Sequence, residues 1–364
     1  MTSTDSAGGR SPTDHEAAVR ERREEAVASF DEGHGGVVGR LQHTLHTTPA
    51  LVPLIVVVAA VIVFGLILGD RFFSPATLTL ILQQVQIVGV LAAAQTLIIL
   101  TAGIDLSVGA IAVFTSVIMG QFTFRYGLPP SVAILAGMAV GTGIGAVSGF
   151  LVARVKLPPF IVTLGMWQIV LAANYLYSAN ETIRSQDLRT EAPLLQFMGT
   201  RVEIGGAILT FGVITMVLLV VVLAYALRST AWGRHVYAVG DDPEAAALAG
   251  VNVTRTLMSV YMLAGFICAI TGWVMIGRFG SVSPSASTGV LGNIQSITAV
   301  VIGGISLFGG RGSIVGAFFG ALIVGVFELG LRMAGADAQW TFLLIGTLII
   351  GAVAVDQWIR KVSG

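Results

Sequence analysis

The stretch LVPLIVVVAAVIVFGLILG, residues 51–69, contains neither a charged nor a polar side chain. A helix needs about 20 mainly apolar residues to cross the hydrocarbon core of a bilayer, so this stretch reads as one crossing. Further blocks of the same kind follow at 78–100, 106–122, 131–153, 160–178, 207–227, 258–277, 294–308, 313–331 and 340–358. The expected fold is therefore all-α, a polytopic membrane protein of about ten transmembrane helices, with nine or eleven as alternatives. The block at 294–308 is short and glycine-rich. It reads either as a full crossing or as a broken or re-entrant segment.

Composition points the same way. Of the 364 residues, 55% are hydrophobic and 11% charged, and mean hydropathy is +0.86. A soluble domain carries about a quarter charged residues, so a chain this apolar needs lipid around it. Charge is concentrated ahead of the first crossing, where Glu16, Arg20, Glu21, Arg22, Arg23, Glu24 and Glu25 form a dense run. Residues 1–48 are read as a disordered cytoplasmic tail, with an amphipathic helix over 14–30 as the alternative, and residues 49–364 as the membrane domain. No apolar core follows a short basic segment in the tail, so it does not have the pattern of a signal peptide.

Orientation follows from the positive-inside rule. With the amino terminus inside, the cytoplasmic loops carry Arg154, Lys156, Arg228, Arg234, Arg255, Arg311, Arg360 and Lys361, and the tail adds Arg10, Arg20, Arg22, Arg23 and Arg40. The outer loops carry fewer: Arg71, Arg125, Arg184, Arg189, Arg201, Arg278 and Arg332, offset by Asp70, Glu181, Asp187, Glu191, Glu203 and Asp337. Both termini are expected in the cytoplasm.

Several function classes drop out. The formal net charge is zero, which gives no reason to expect a nucleic-acid partner. His15, His34, His43 and His46 lie in the tail and His235 stands apart, so no metal-ligand cluster is expected. Cys268, the single cysteine, lies in an apolar block and reads as a packing residue. No GxxxxGK[ST] phosphate loop, HExxH pair or GxSxG serine is present, so the chain is expected neither to bind ATP nor to carry a catalytic site. Intramembrane acids are few, chiefly Asp105 and Glu328. That weakens an ion-driven transporter, which needs a relay of ionisable groups.

The longest inner loop, 228–257, contains RSTAWGRHVYAVGDDPEAAALAGVNVTR at 228–255. Within it a short helix is marked at both ends. Asp242 can serve as N-cap, Pro243 occupies the first turn where a missing N–H costs nothing, and Glu244 complements the dipole. Gly250 can close the helix in a left-handed conformation. Two turns are marginal alone in water. Either the helix packs on its own membrane domain, or a partner protein grips it.

The run GRHVYAVGDDPEAAALAGVNVTR, 233–255, resembles the cytoplasmic loop of bacterial ABC-importer permeases for monosaccharides, the ribose, xylose, arabinose and fructose group. Asp241–Asp242 stands where that family often has Gly–Asn. TAGIDLSVG at 101–109 resembles the family's GGIDLSVG signature, with Ala102 in place of a glycine, and GGISLFGGRGS at 303–313 resembles a later one. The likeness spans roughly 50–360. It implies an inner-membrane permease, working as a homodimer, with a cytoplasmic ABC ATPase that holds ATP and magnesium and an extracytoplasmic sugar-binding protein. It also implies ATPase coupling through Gly240, Asp242, Pro243, Glu244, Ala245, Ala246, Ala249 and Gly250. Related permeases for nucleosides, polyols or branched-chain amino acids are the alternative.

GIDLSVG at 103–109 and GISLFGG at 304–310 also resemble each other. They read as an internal repeat of paired broken helices, or as a chance likeness between glycine-rich breaks. Asp105 reads as a cap on the N–H groups after it or as a pathway residue. Gln83, Gln84, Gln86 and Gln95 crowd one block, with Gln84 and Gln95 close to three turns apart on one face. Gln84, Gln95, Asn174, Asn293 and Gln295 are candidate pathway residues because neutral amides exchange hydrogen bonds with sugar hydroxyls; interhelical bonding is the alternative. Gly141, Gly145 and Gly149, and Gly312, Gly316 and Gly320, form small-residue stripes for close helix approach. Trp232 and Trp358 read as interfacial anchors.

Overall fold

The computed structural model describes residues 50–362. The reading of residues 1–48, and those resting on the side chains of Trp358, Arg360 and Lys361, fall outside the described residues. Ten apolar helices stand where ten blocks were read. They are α1 (Leu51–Leu68), α2 (Pro75–Leu100), α3 (Val108–Phe124), α4 (Pro130–Ala153) and α5 (Pro159–Ser178), then α7 (Phe211–Ser229), α10 (Val253–Phe279), α11 (Ala286–Ile302), α12 (Ile314–Met333) and α13 (Ala338–Val362). Between α5 and α7 lies α6 (Ser185–Glu191); between α7 and α10 lie α8 (Ala231–Asp241) and α9 (Pro243–Leu248). Seven of them are long and apolar enough to cross a membrane: α1, α2, α4, α5, α7, α10 and α12. The other three are shorter: α3, α11, and Gln339–Gly351 within α13. α3 follows a non-helical break at 101–107 and α11 precedes one at 303–313.

The all-α reading holds except at one place. Arg201–Ile204 (β1) and Ala207–Thr210 (β2) form an antiparallel hairpin, with Arg201 opposite Thr210 and Ile204 opposite Ala207. The block read from 207 was helical only from 211, because Gly205 and Gly206 both take positive φ, 57° and 84°. That two-residue turn reverses the chain into strand pairing. Thr210 then starts α7, its Oγ1 accepting from Val213 N (3.4 Å) and donating to Gln86 Oε1 (2.9 Å).

Helix α2 is the centre of the bundle. From Gly89 to Leu100 it is buried on every side, as befits a helix apolar all round, and it packs against α7, α10, α11 and α12. The strongest single pairing is α4 on α10. There the glycine stripe does what small residues do in membranes: a Cβ at Gly145 would strike the Tyr261 carbonyl oxygen, and one at Gly141 would come 2.6 Å from Gly265 O. The second stripe seats α12 on α11 in the same way, Gly316 against Gly303 O and Gly320 against Ala299 O. Cys268 is fully buried in the main core.

The connections gather at two ends. At one, Gln83 Nε2 donates to Ile208 O (2.8 Å), Gln196 Nε2 to Gly280 O (2.8 Å), and Ile183 bridges Val282. At the other lie both helix breaks together with α8 and α9.

Gly145 and Gly143 share α4 but not its role, since a Cβ at Gly143 meets nothing within 4 Å. Gly145→Leu is expected to cost at least about 1–3 kcal/mol through overpacking, and Gly143→Leu to stay within about 0.5 kcal/mol of wild type. Thermal unfolding midpoints in detergent check both.

Candidate functional site

The short helix forms with the ends the sequence marks. Asp242 Oδ1 accepts from Glu244 N (2.9 Å) and Ala245 N (3.0 Å), and Pro243 occupies the first position. At the far end Gly250 takes φ 87°. Gly250 N donates to Ala247 O and Val251 N to Ala246 O, both at 3.0 Å, which closes the last turn in a Schellman arrangement. Only Ala246 of this helix is buried, while Leu248 is 91% exposed. The helix is thus capped at both ends, with most of its surface exposed.

The surrounding segment is less of a loop than expected. Thr230 Oγ1 accepts from Gly233 N (3.1 Å) and starts α8 directly after α7. The helix buries Gly233, Val236, Val239 and Gly240 on one face, a helical spacing hidden in the sequence by polar neighbours. Gly240 is therefore a buried contact at the end of α8 rather than a loop residue. Trp232 donates Nε1–H to Ser259 Oγ (2.8 Å), tying α8 to α10.

Beneath α8 lie the two breaks, and they touch each other. Leu100 O accepts from Gly310 N (3.0 Å). A Cβ at Gly240 would strike Leu100 O and come 2.7 Å from Gly310 N; one at Gly309 would come 2.8 Å from Ala102 Cβ. Tyr237 Oη donates to Gly312 O (2.9 Å). Burial pushes the Tyr237 hydroxyl above its ordinary range, so it remains a protonated donor. The helix that leads into α9 thus rests, backbone on backbone, on both breaks.

In the first break each candidate side chain serves a backbone group. Asp105 is 3% exposed, and its Oδ1 accepts from Ser107 N and Ser107 Oγ, both at 2.6 Å. It caps a local turn, and α3 begins only at Val108. Gln95 turns its amide so that nitrogen donates to Asp105 O (3.1 Å) and oxygen accepts from Asp105 N (3.2 Å). Asn293 Nδ2 donates to Leu106 O (2.8 Å), and Thr163, which the sequence did not single out, donates to Ile104 O (2.9 Å). Ala102 holds φ 60° where the resembling signature has glycine, a strain of about 1–2 kcal/mol.

The other candidates lie apart from this cluster. Gln84 Nε2 donates to Glu328 Oε1 (3.0 Å), which is also paired with Arg332 at 2.9 Å. Gln84 and Gln95 thus share a helix but not a site. Asn174 Nδ2 donates to Pro284 O (3.0 Å) near the opposite end. Its Oδ1 and that of Asn293 are buried acceptors without a protein donor. Asn174 borders a small cavity with Ala110, Val113, Trp167 and Gly289, with ≈ 10 Å³ of free space, about one water. Gln295 is half-buried on α11. Among the described residues, no group of three His, Cys, Asp or Glu side chains stands ready to hold a metal ion.

The structure is a bundle of membrane-crossing helices, two of them joined to shorter partners through paired breaks, with an exposed capped helix at that end. A family described as the permease component of branched-chain amino acid transport systems matches residues 77–353. The fructose import permease protein of Rhizobium meliloti is 68% identical over 337 residues, 93% of each chain. The ribose import permease protein of Escherichia coli K12 is 33% identical over 308 residues, 85% of this chain and 92% of that one. The xylose transport system permease protein of Haemophilus influenzae is 29% identical over 362 residues, 85% of this chain and 96% of that one. No solved structure matches the chain. The chain belongs to this family of transport-system permeases.

Two variants probe the junction. Asp242→Ala removes the cap at a cost of about 1 kcal/mol, and amide exchange at residues 244–246 should speed up about fivefold by mass spectrometry. Gly240→Val forces its side chain into Leu100 O and Gly310 N. The full chain should still insert but lose stability by at least about 1–3 kcal/mol, read as a lower midpoint in detergent.

Proposed function

We propose that this chain is the membrane-spanning subunit of an ATP-driven importer in the bacterial inner membrane, with a monosaccharide, fructose first, as cargo. The sequence likeness to the Rhizobium meliloti fructose permease over 93% of both chains is the observation that carries the choice of sugar. On this reading both termini and the break end face the cytoplasm. A separate ATPase carrying ATP and magnesium grips α9, an extracytoplasmic binding protein delivers the sugar, and two copies of the chain form the pathway.

The exposed Leu248 and the doubly capped turn of α9 support the ATPase contact. Exposed alanines at 245, 247 and 249 leave its surface smooth enough to enter a cleft, while the buried Ala246 faces the chain itself. For the pathway, Asn174 and Asn293 have the stronger claim because each keeps a spare buried acceptor for a hydroxyl. Gln95 spends both amide atoms on the bundle, and Gln84 Nε2 and Asp105 Oδ1 are likewise engaged; Gln295 is two residues from Asn293 on α11. The family's description favours a second reading, a permease for branched-chain amino acids.

The test is ATP-dependent uptake in proteoliposomes holding this chain with the ATPase and binding protein that co-purify from its native membrane. Radiolabelled fructose should accumulate, with leucine ineffective as a competitor; accumulation of leucine instead would install the second reading. Ala245→Arg, placing a bulky cation on the exposed face of α9, should abolish cargo-stimulated ATP hydrolysis while the protein still inserts. Normal stimulation in that variant would return α9 to the role of a simple connector.

A further inference from the structure

An amphipathic cavity of ≈ 500 Å³ opens at the break end, between the last turn of α7, the first turn of α8 and the start of α12. Its lining is mixed, apolar at Ala224, Leu227 and Val315 and polar at Arg228, Arg234, Tyr237 and Ser313. α7 and α12 both cross the membrane. A cavity at the end of one and the start of the other therefore lies at the depth where acyl chains give way to headgroups.

The two arginines are hard to explain by folding alone. Among the described residues the one ion pair is Glu328–Arg332, so neither Arg228 nor Arg234 has a carboxylate partner there. Arg228 does complement the carboxyl end of α7. Arg234 has no such reason: it lies near the amino end of α8, where a cation opposes the helix dipole. Two like charges bordering one cavity also repel, a cost that an anion placed between them would reverse. Both side chains are exposed, so they can reach such a ligand.

We propose that this cavity binds an anionic phospholipid, its phosphate held by Arg228 and Arg234 and its acyl chain laid against Leu227 and Val315. Basic pockets between membrane helices suit anionic headgroups, and guanidinium groups match phosphate geometry. The apolar part of the lining selects a lipid over a free anion. The site requires only that the bundle lies in a bilayer, and it stands whatever the cargo proves to be.

Native mass spectrometry of the full chain in mild detergent tests it, titrating phosphatidylglycerol against phosphatidylcholine of the same acyl length. Wild type should bind phosphatidylglycerol in preference, and R228Q/R234Q should weaken that binding about thirtyfold, near fivefold for each charge removed. R228K/R234K should keep the preference, which separates charge from fold. R154Q/K156Q, two exposed cations in another turn at the same end, should bind as wild type does. Unchanged binding in R228Q/R234Q, or an equal loss in R154Q/K156Q, would overturn the site. Displacement of the lipid by an equal concentration of inorganic phosphate would mean a free-anion site instead. Loss of lipid on dimer formation would mean that a second copy covers the cavity.

Discussion

Backbone polar groups inside a membrane protein must find partners within the protein, because lipid offers none. Continuous helices meet this rule by themselves. This chain breaks it twice, at 101–107 and 303–313, and much of the bundle is arranged around the repair. Gly103 N returns to Ile98 O and Ala102 N to Ile99 O. The carbonyls of Ile104, Asp105 and Leu106 are met by Thr163, Gln95 and Asn293, from three different helices. In the second break Ser306 N reaches Arg311 O and Phe308 N reaches Ser306 Oγ. Leu100 O, orphaned where α2 stops, is satisfied by Gly310 of the other break.

That accounting changes how polar residues in the membrane domain should be read. Gln83, Gln84, Gln86 and Gln95 attract notice as hydroxyl-binding amides on one helix. Yet each is engaged: Gln83 with Ile208 O of the hairpin, Gln86 with Thr210, Gln84 with Glu328, Gln95 with the break. A neutral amide with both a donor and an acceptor suits a stray peptide group as well as it suits a sugar. What distinguishes Asn174 and Asn293 is a side-chain oxygen that is buried and still without a protein donor. Only the folded chain can reveal that remainder.

The legible part of this protein was the part written locally. Blocks of about 20 apolar residues located all ten helices, and Asp242, Pro243 and Gly250 marked the exposed helix to the residue, because caps act within one turn. Hydropathy could not tell the strand Ala207–Thr210 from the helix after it, although Gly205–Gly206 was a hairpin signal in plain view. It also missed α8, whose buried face is one short helical stripe among polar residues. Pairings across more than a hundred positions, such as Gln84 with Glu328 or Asn174 with Pro284, left no local trace.

The same distinction explains why glycine dominates where α8 meets the breaks. Leu100 O, Gly240 and Gly310 N converge with no side chain between them, and Gly309 fits against Ala102. Side chains can absorb a small displacement by changing rotamer, whereas backbone in direct contact cannot without losing a hydrogen bond. α8 runs into α9 with Asp242 as the only residue between them, and that residue is itself fixed by two hydrogen bonds. In the proposed coupling to an ATPase, a push on the exposed helix would arrive at Leu100 and Gly310 as movement of main chain. Because Leu100 borders one break and Gly310 lies in the other, it would reach both broken helices at once. A tight glycine junction stabilises little by buried apolar area; its contribution is stiffness, the property that the proposed coupling between α9 and the broken helices would require.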